Sequence, residues 1–161
     1  GDQLLATSTM GPVSSVVAAD ELTTQQQQSV DLGAQIIAGG FKNGANYAPT
    51  LLSNVKEGMP AFHEELFGPV ASVITVKDAD AAIVMANSHR YGLGATLFSR
   101  DTDRAYHYAR QISSGAVFIN AMVKSDPRLP FGGVKKSGYG RELADYGLKE
   151  FTNVKTIYIN D

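Results

Sequence analysis

Chemistry in this 161-residue chain is concentrated in two short segments. The first is Glu64-Glu65-Leu66-Phe67-Gly68-Pro69-Val70. It sets two carboxylates and an aromatic ring just ahead of Gly-Pro and the β-branched run at residues 70–77. A buried strand beginning at Val70 puts Glu65 and Phe67 at the mouth of a parallel sheet, and ligands bind near such sheet edges in open α/β folds. A carboxylate there accepts hydrogen bonds from a ribose diol, and a ring lies against a flat heterocycle. The same residue types also suit an acidic pair at a helix end beside a core Phe. For an isolated Glu-x-Phe, that plainer reading is favoured.

The second segment is Pro130-Phe131-Gly132-Gly133-Val134-Lys135-Lys136-Ser137-Gly138-Tyr139-Gly140-Arg141-Glu142. It closes an irregular stretch, residues 120–140, with two prolines and four glycines. Loops of that length in compact domains are usually functional or disordered. Lys124, Ser125 and Arg128 supply the hydroxyl and cations that would hold a carboxylate-bearing ligand, although charged loop residues are more often simply solvated. Gly138 and Gly140 permit a tight path with positive φ. Arg141 reads as a structural anchor, and Glu142 as a first-turn helix residue facing the helix dipole.

Other motifs fail. Gly133 and Gly138 have the spacing of a phosphate loop, but Tyr139-Gly140 stands where Lys-Ser/Thr is required. Gly138-Tyr139-Gly140 lacks the third glycine of a dinucleotide fingerprint. His63, His89 and His107 have no metal-ligand spacing, and there is no nucleophile elbow. The chain has no cysteine, which excludes a disulfide scaffold and a thiolate metal site.

The elements that must position these residues follow from pattern. Residues 16–38 read as a helix with a broken stripe at Leu22, Gln26, Val30, Gly33 and Ile37, its glutamines 25–28 forming a solvated face. Gly39-Gly40 stops it, or stops a short strand at its end. Residues 41–49 read as a loop and 50–55 as a short strand. Then come a strand at 70–77 and a helix capped by Asp78 with Ala82, Met85 and Ala86 inward. A strand at 95–99 and a helix capped by Asp101 with Ala105, Tyr108, Ala109 and Ile112 inward follow, then a strand at 116–120. Gly115 is placed to end the second helix in a left-handed conformation. This βαβαβ order predicts an α/β fold, a three-layer parallel sheet with right-handed crossovers. A helix at 141–151 and an alternating strand at 152–159 close the chain.

Composition sets outer bounds. The length suits one domain or a large subdomain, able to bury about two-thirds of its unfolded surface. Apolar residues are 43% and charged residues 19%, with net charge -2. No basic field would hold nucleic acid, and no apolar run is long enough for a membrane span. The N-terminal residues show no signal segment, so a cytoplasmic location is expected. The start at Gly rather than Met is read as a trimmed start.

Both chemistry-bearing segments resemble signature segments of the NAD(P)-dependent aldehyde dehydrogenase superfamily, in the same order. Gly1-Asp2, Thr9, Gly11-Pro12 and Pro49-Thr50-Leu51-Leu52 add to the resemblance, with Gln3 where the family has proline. Within the family the loop is most similar to that of succinate-semialdehyde dehydrogenases. The resemblance implies a covalent mechanism: attack by a cysteine thiolate, hydride transfer to NAD or NADP, then thioester hydrolysis. It assigns Glu65 to the nicotinamide ribose and Phe67 to packing beside it. It puts Ser125 and Phe131 toward the aldehyde, Arg128 toward an anionic substrate, and Glu142 in a proton relay. Residues 1–150 would be the C-terminal part of a catalytic domain. Residues 151–161 would be an oligomerisation strand, giving a homo-dimer or tetramer. The nucleophile and the remaining machinery are expected upstream of Gly1, and the isolated chain is expected to be inactive. The rival expectations are a non-catalytic association module and a relative acting on an acyl phosphate or acyl-CoA.

Overall fold

Ser15 opens the first helix, its side chain accepting from the Ala18 N–H at 3.0 Å. This computed structural model describes residue 2 and residues 4–161. Gly1 and Gln3, part of the N-terminal resemblance, lie outside the described residues. The chain divides into two compact units, Gly1–Val76 and Lys77–Asp161.

In the first unit, α1 spans Val16–Asp31 and not residues 16–38. Gly33 takes φ +107 just beyond it, a conformation that L side chains disfavour. The chain then forms β1, Gln35–Ala38. The buried face of α1 is Ala19, Leu22, Gln26 and Ser29. Gln26 is therefore not on a solvated face. Its Oε1 accepts from the Tyr47 hydroxyl at 3.0 Å, and its Nε2 donates to the Gly40 carbonyl at 3.3 Å. A polar residue with both ends satisfied can occupy a core position.

Residues 41–49, expected as loop, contain an antiparallel hairpin, β2 (Lys42–Asn43) and β3 (Asn46–Tyr47). Next come β4 (Thr50–Ser53), the short helix α2 (Pro60–His63) and β5 (Val70–Ser72). β4 lies between β1, antiparallel, and β5, parallel. β5 is shorter than expected because its ladder with β4 ends at Ser72, after which the Val73 N–H bonds the Leu52 carbonyl. Ala19, Leu22 and Tyr47 form a core cluster, against which Val13, Leu66 and Val70 pack.

In the second unit, α3 (Ala79–Ser88) and α4 (Thr102–Ala109) start where expected. The Asp78 carboxylate accepts from the Ala81 N–H at 2.8 Å, and Asp101 accepts from the Arg104 N–H at 2.9 Å. The buried residue of α3 is Ile83; Ala86, expected inward, is exposed. Between the helices lie β6 (Tyr91–Gly92) and β7 (Gly94–Leu97). β8 (Ala116–Ile119) follows α4 and pairs with β7 in parallel along its whole length. The expected crossover thus forms as β7–α4–β8, while β5 is paired to β4. Helix α4 stops at Ala109 without a left-handed glycine. Gly115 is needed for a different reason: a Cβ there would lie 1.6 Å from the Gly132 carbonyl oxygen.

The long loop is partly ordered by β9 (Val134–Lys135), antiparallel to β6. The last helix, α5, spans Ala144–Glu150 and starts later than expected, because Leu143 and Ala144 both have positive φ. Residues 152–161 form no strand and are all exposed. A strand draws its hydrogen bonds from a neighbour, and no described strand lies alongside.

Candidate functional site

In the first unit, α2 ends at His63, and the Glu64 N–H closes it by donating to the Pro60 carbonyl at 2.8 Å. His63 faces back: its Nε2 accepts from the Gly58 N–H at 2.9 Å, tying down the turn before the helix. Residues 65–67 have no regular structure. Leu66 packs into the cluster around Leu22, while its neighbours are exposed, Phe67 at 78%. An anchored middle residue with solvent-facing neighbours is the alternation of an extended chain. The two carboxylates differ. Glu64 Oε2 accepts from Gln25 Nε2 at 2.8 Å, whereas the Glu65 carboxylate has no hydrogen bond or ion pair among the described residues.

Pro69 carries this segment into the sheet, its carbonyl accepting from the Thr50 N–H at 2.8 Å. An open groove of about 450 Å³, lined by Thr50, Leu51, Gly68, Pro69 and Val70, lies beside it. Glu65 and Phe67 precede the amino-terminal ends of the parallel pair β4 and β5, since the ladder begins with Thr50 opposite Val70. The general preference of ligands for the carboxyl ends of parallel strands therefore does not carry this site. What carries it is an acceptor-only carboxylate left unpartnered, two residues from an exposed ring. A carboxylate complements a pair of hydroxyl donors, and an exposed aromatic face suits a flat ligand. These residues suit a ligand that offers paired hydroxyls beside a flat ring.

In the second unit, a cleft of about 420 Å³ runs along β8 and is closed by Lys124, Asp126, Leu129, Pro130 and Phe131. Phe131 is held there by its backbone, which exchanges two 2.8 Å hydrogen bonds with Glu142. Glu142 therefore lies in a β-bridge outside α5, not in a first helical turn. Ser125 is exposed and does not line the cleft. Arg128 is engaged by Asp126, through Nε at 2.9 Å and Nη2 at 2.6 Å, and its N–H also donates to Asp126 Oδ1 at 3.0 Å. These hydrogen bonds, with the guanidinium charge, hold the Asp126 carboxyl well below the usual carboxylate range and raise the pKa of Arg128. Lys124 has no hydrogen bond or ion pair among the described residues, and its charge, which also helps lower the Asp126 pKa, adds a second cation at the cleft.

Arg141 is the anchor its segment predicts, donating to the carbonyls of Gly133 at 3.0 Å and Gly140 at 2.6 Å. Asn120 escaped the sequence reading. Its side chain bonds both the N–H and the carbonyl of Ser99, at 2.9 and 2.8 Å, from a backbone at φ +55. An Asn closing a β-branched run was the available signal, since Asn tolerates left-handed φ.

Comparison with known proteins adds to this geometry. A family model described as the aldehyde dehydrogenase family matches residues 1–157. The succinate-semialdehyde dehydrogenase [NADP(+)] of Deinococcus radiodurans is 48% identical over 160 residues, covering 98% of this chain and 34% of that protein. The succinate semialdehyde dehydrogenase [NAD(P)+] Sad of Escherichia coli is 44% identical, covering 98% and 35%. Among solved structures, succinic semialdehyde dehydrogenase from Streptococcus pyogenes, in complex with NADP+, superposes with TM-score 0.94 at 38% identity, over 100% of this chain and 36% of that one. The chain thus spans about a third of the length of the relatives it matches.

Proposed function

Since this chain belongs to the aldehyde dehydrogenase family, we propose that the protein carrying it oxidises an aldehyde to a carboxylic acid with NAD or NADP as hydride acceptor. The single observation supporting a cofactor role within this chain is the Glu65 carboxylate, exposed and unpartnered beside the exposed ring of Phe67. The nicotinamide supplies hydride acceptance when bound. Glu65 accepts the hydroxyls of its ribose, and Phe67 lies against it. The chain contains no cysteine, so the thiolate nucleophile comes from elsewhere in the protein.

The substrate we infer is succinate semialdehyde. Supporting it are the names of the relatives and the Lys124 charge at the cleft that Phe131 lines. Arg128 takes a smaller part than its residue type suggests, because Asp126 already offsets its charge; Ser125 approaches substrate from outside the cleft lining, between Lys124 and Asp126 in the chain. Glu142 joins a proton relay from its exposed place beside Phe131. Residues 1–150 belong to the catalytic domain, and residues 151–161 join a neighbouring subunit in a homo-dimer or tetramer. Five apolar or aromatic side chains in that tail, Phe151, Val154, Ile157, Tyr158 and Ile159, are each at least 77% exposed, which favours such a partner.

The test is the complete protein with succinate semialdehyde and NADP+ or NAD. Formation of reduced nicotinamide is expected, and none is expected from the isolated chain. Glu65→Gln in the complete protein should slow hydride transfer about ten- to hundredfold, the scale of one charge-assisted hydrogen bond, with acylation little changed. Unchanged single-turnover rates overturn the role of Glu65.

A further inference from the structure

Glu65 projects from a segment without regular structure, yet a ribose ligand requires its carboxylate to be held in one direction. Leu66 anchors the segment on one side. The second anchor is a side chain 40 residues earlier. Gln25 lies on α1 next to the buried Gln26, half-buried itself. Its Nε2 donates to Glu64 Oε2 at 2.8 Å and lies 3.4 Å from the Glu65 carbonyl oxygen. A primary amide has two N–H donors, one for each acceptor. The contact engages the Glu64 carboxylate with α1, and of the two carboxylates only that of Glu65 is left without a partner among the described residues.

We propose that Gln25 is the positioning residue of the Glu65 carboxylate, tying α1 to the Glu64-Glu65 backbone and holding it in the cofactor-binding orientation. This rests on the cofactor reading of Glu65. It explains why two adjacent glutamates serve different ends: Glu64 is the strut and Glu65 the ligand group.

The experiment measures NADP+ affinity by calorimetry and the single-turnover hydride-transfer rate in the complete protein. Gln25→Met keeps the length and helix propensity of the side chain and removes the donor. It should weaken NADP+ binding about three- to tenfold, the scale of one hydrogen bond. Glu64→Ala should do the same. Glu64→Gln should stay near wild type, because an amide oxygen still accepts. Gln25→Met should add nothing to Glu65→Gln in the double variant, the sign of action through one group. If Gln25→Met changes neither readout while Glu65→Gln is impaired, this inference falls alone. If Glu65→Gln changes neither, the cofactor reading falls and takes this inference with it. Additive losses in the double variant, or a loss in Glu64→Gln equal to that in Glu64→Ala, also overturn the proposal.

Discussion

Gly68 faces Leu22 at such short range that a Cβ built on Gly68 would stand 2.4 Å from Leu22 Cδ2. Leu22 is 1% exposed and sits in the cluster with Ala19 and Tyr47, so it has no room to withdraw. The glycine that follows Phe67 is thus set by packing against α1, since it is not among the positive-φ residues. Gly68→Ala should overpack this contact and destabilise the fold by about 1–3 kcal/mol. Urea unfolding of the complete protein measures it, and an unchanged midpoint would show that the cluster yields.

Tyr47 links the hairpin to α1 through its 3.0 Å hydrogen bond to Gln26 and is 3% exposed. Burial raises its pKa above 10.0, outweighing the lowering by the nearby Thr23 hydroxyl and the Lys42 charge. The fold therefore prefers the protonated phenol. Its contribution to stability is full below the ordinary phenol value and is lost as pH rises through the folded value. Tyr47→Phe should remove this part of the alkaline fall in stability and cost about 1 kcal/mol near neutrality by leaving Gln26 Oε1 short of a donor. Denaturation midpoints across the alkaline range compare the two proteins.

Asp126 carries the opposite sign. Hydrogen bonds from Arg128 depress its carboxyl below 3.8, so the folded state favours the carboxylate. The tie between Asp126 and Arg128 is intact above that value and is released as pH falls below it through the lowered folded value. A carboxyl-carbon NMR titration should place the Asp126 midpoint below that of an unpaired aspartate, and Arg128→Gln should return it toward the ordinary range. A normal midpoint in the unaltered protein counts against a persistent pair.

The exposed tail at residues 152–161 bears on assembly. Ile157→Pro deletes one backbone donor and with it a ladder bond to any neighbouring strand. It should shift the sedimentation distribution of the complete protein toward smaller species. An unchanged distribution with an intact circular dichroism spectrum would place the interface elsewhere.

Features governed by neighbours a few residues apart were legible in the sequence. Asp78 and Asp101 cap their helices because a short carboxylate needs only the N–H three residues on. The crossover β7–α4–β8 follows from local patterning, and the two long motifs identified the family by residue identity alone. The absence of cysteine likewise needed no structure. Tertiary structure decided what depends on partners far along the chain. Gln26 is buried because Tyr47, 21 residues away, supplies a donor. Gly115 is required by the approach of the Gly132 backbone and not by its own φ. Glu142 leaves its helix for a bridge with Phe131, and Gln25 reaches across 39 residues to Glu64. In each case the residue type permits several environments, and only the packing of distant segments selects one, because hydrogen-bond satisfaction and close contact are properties of pairs rather than of positions.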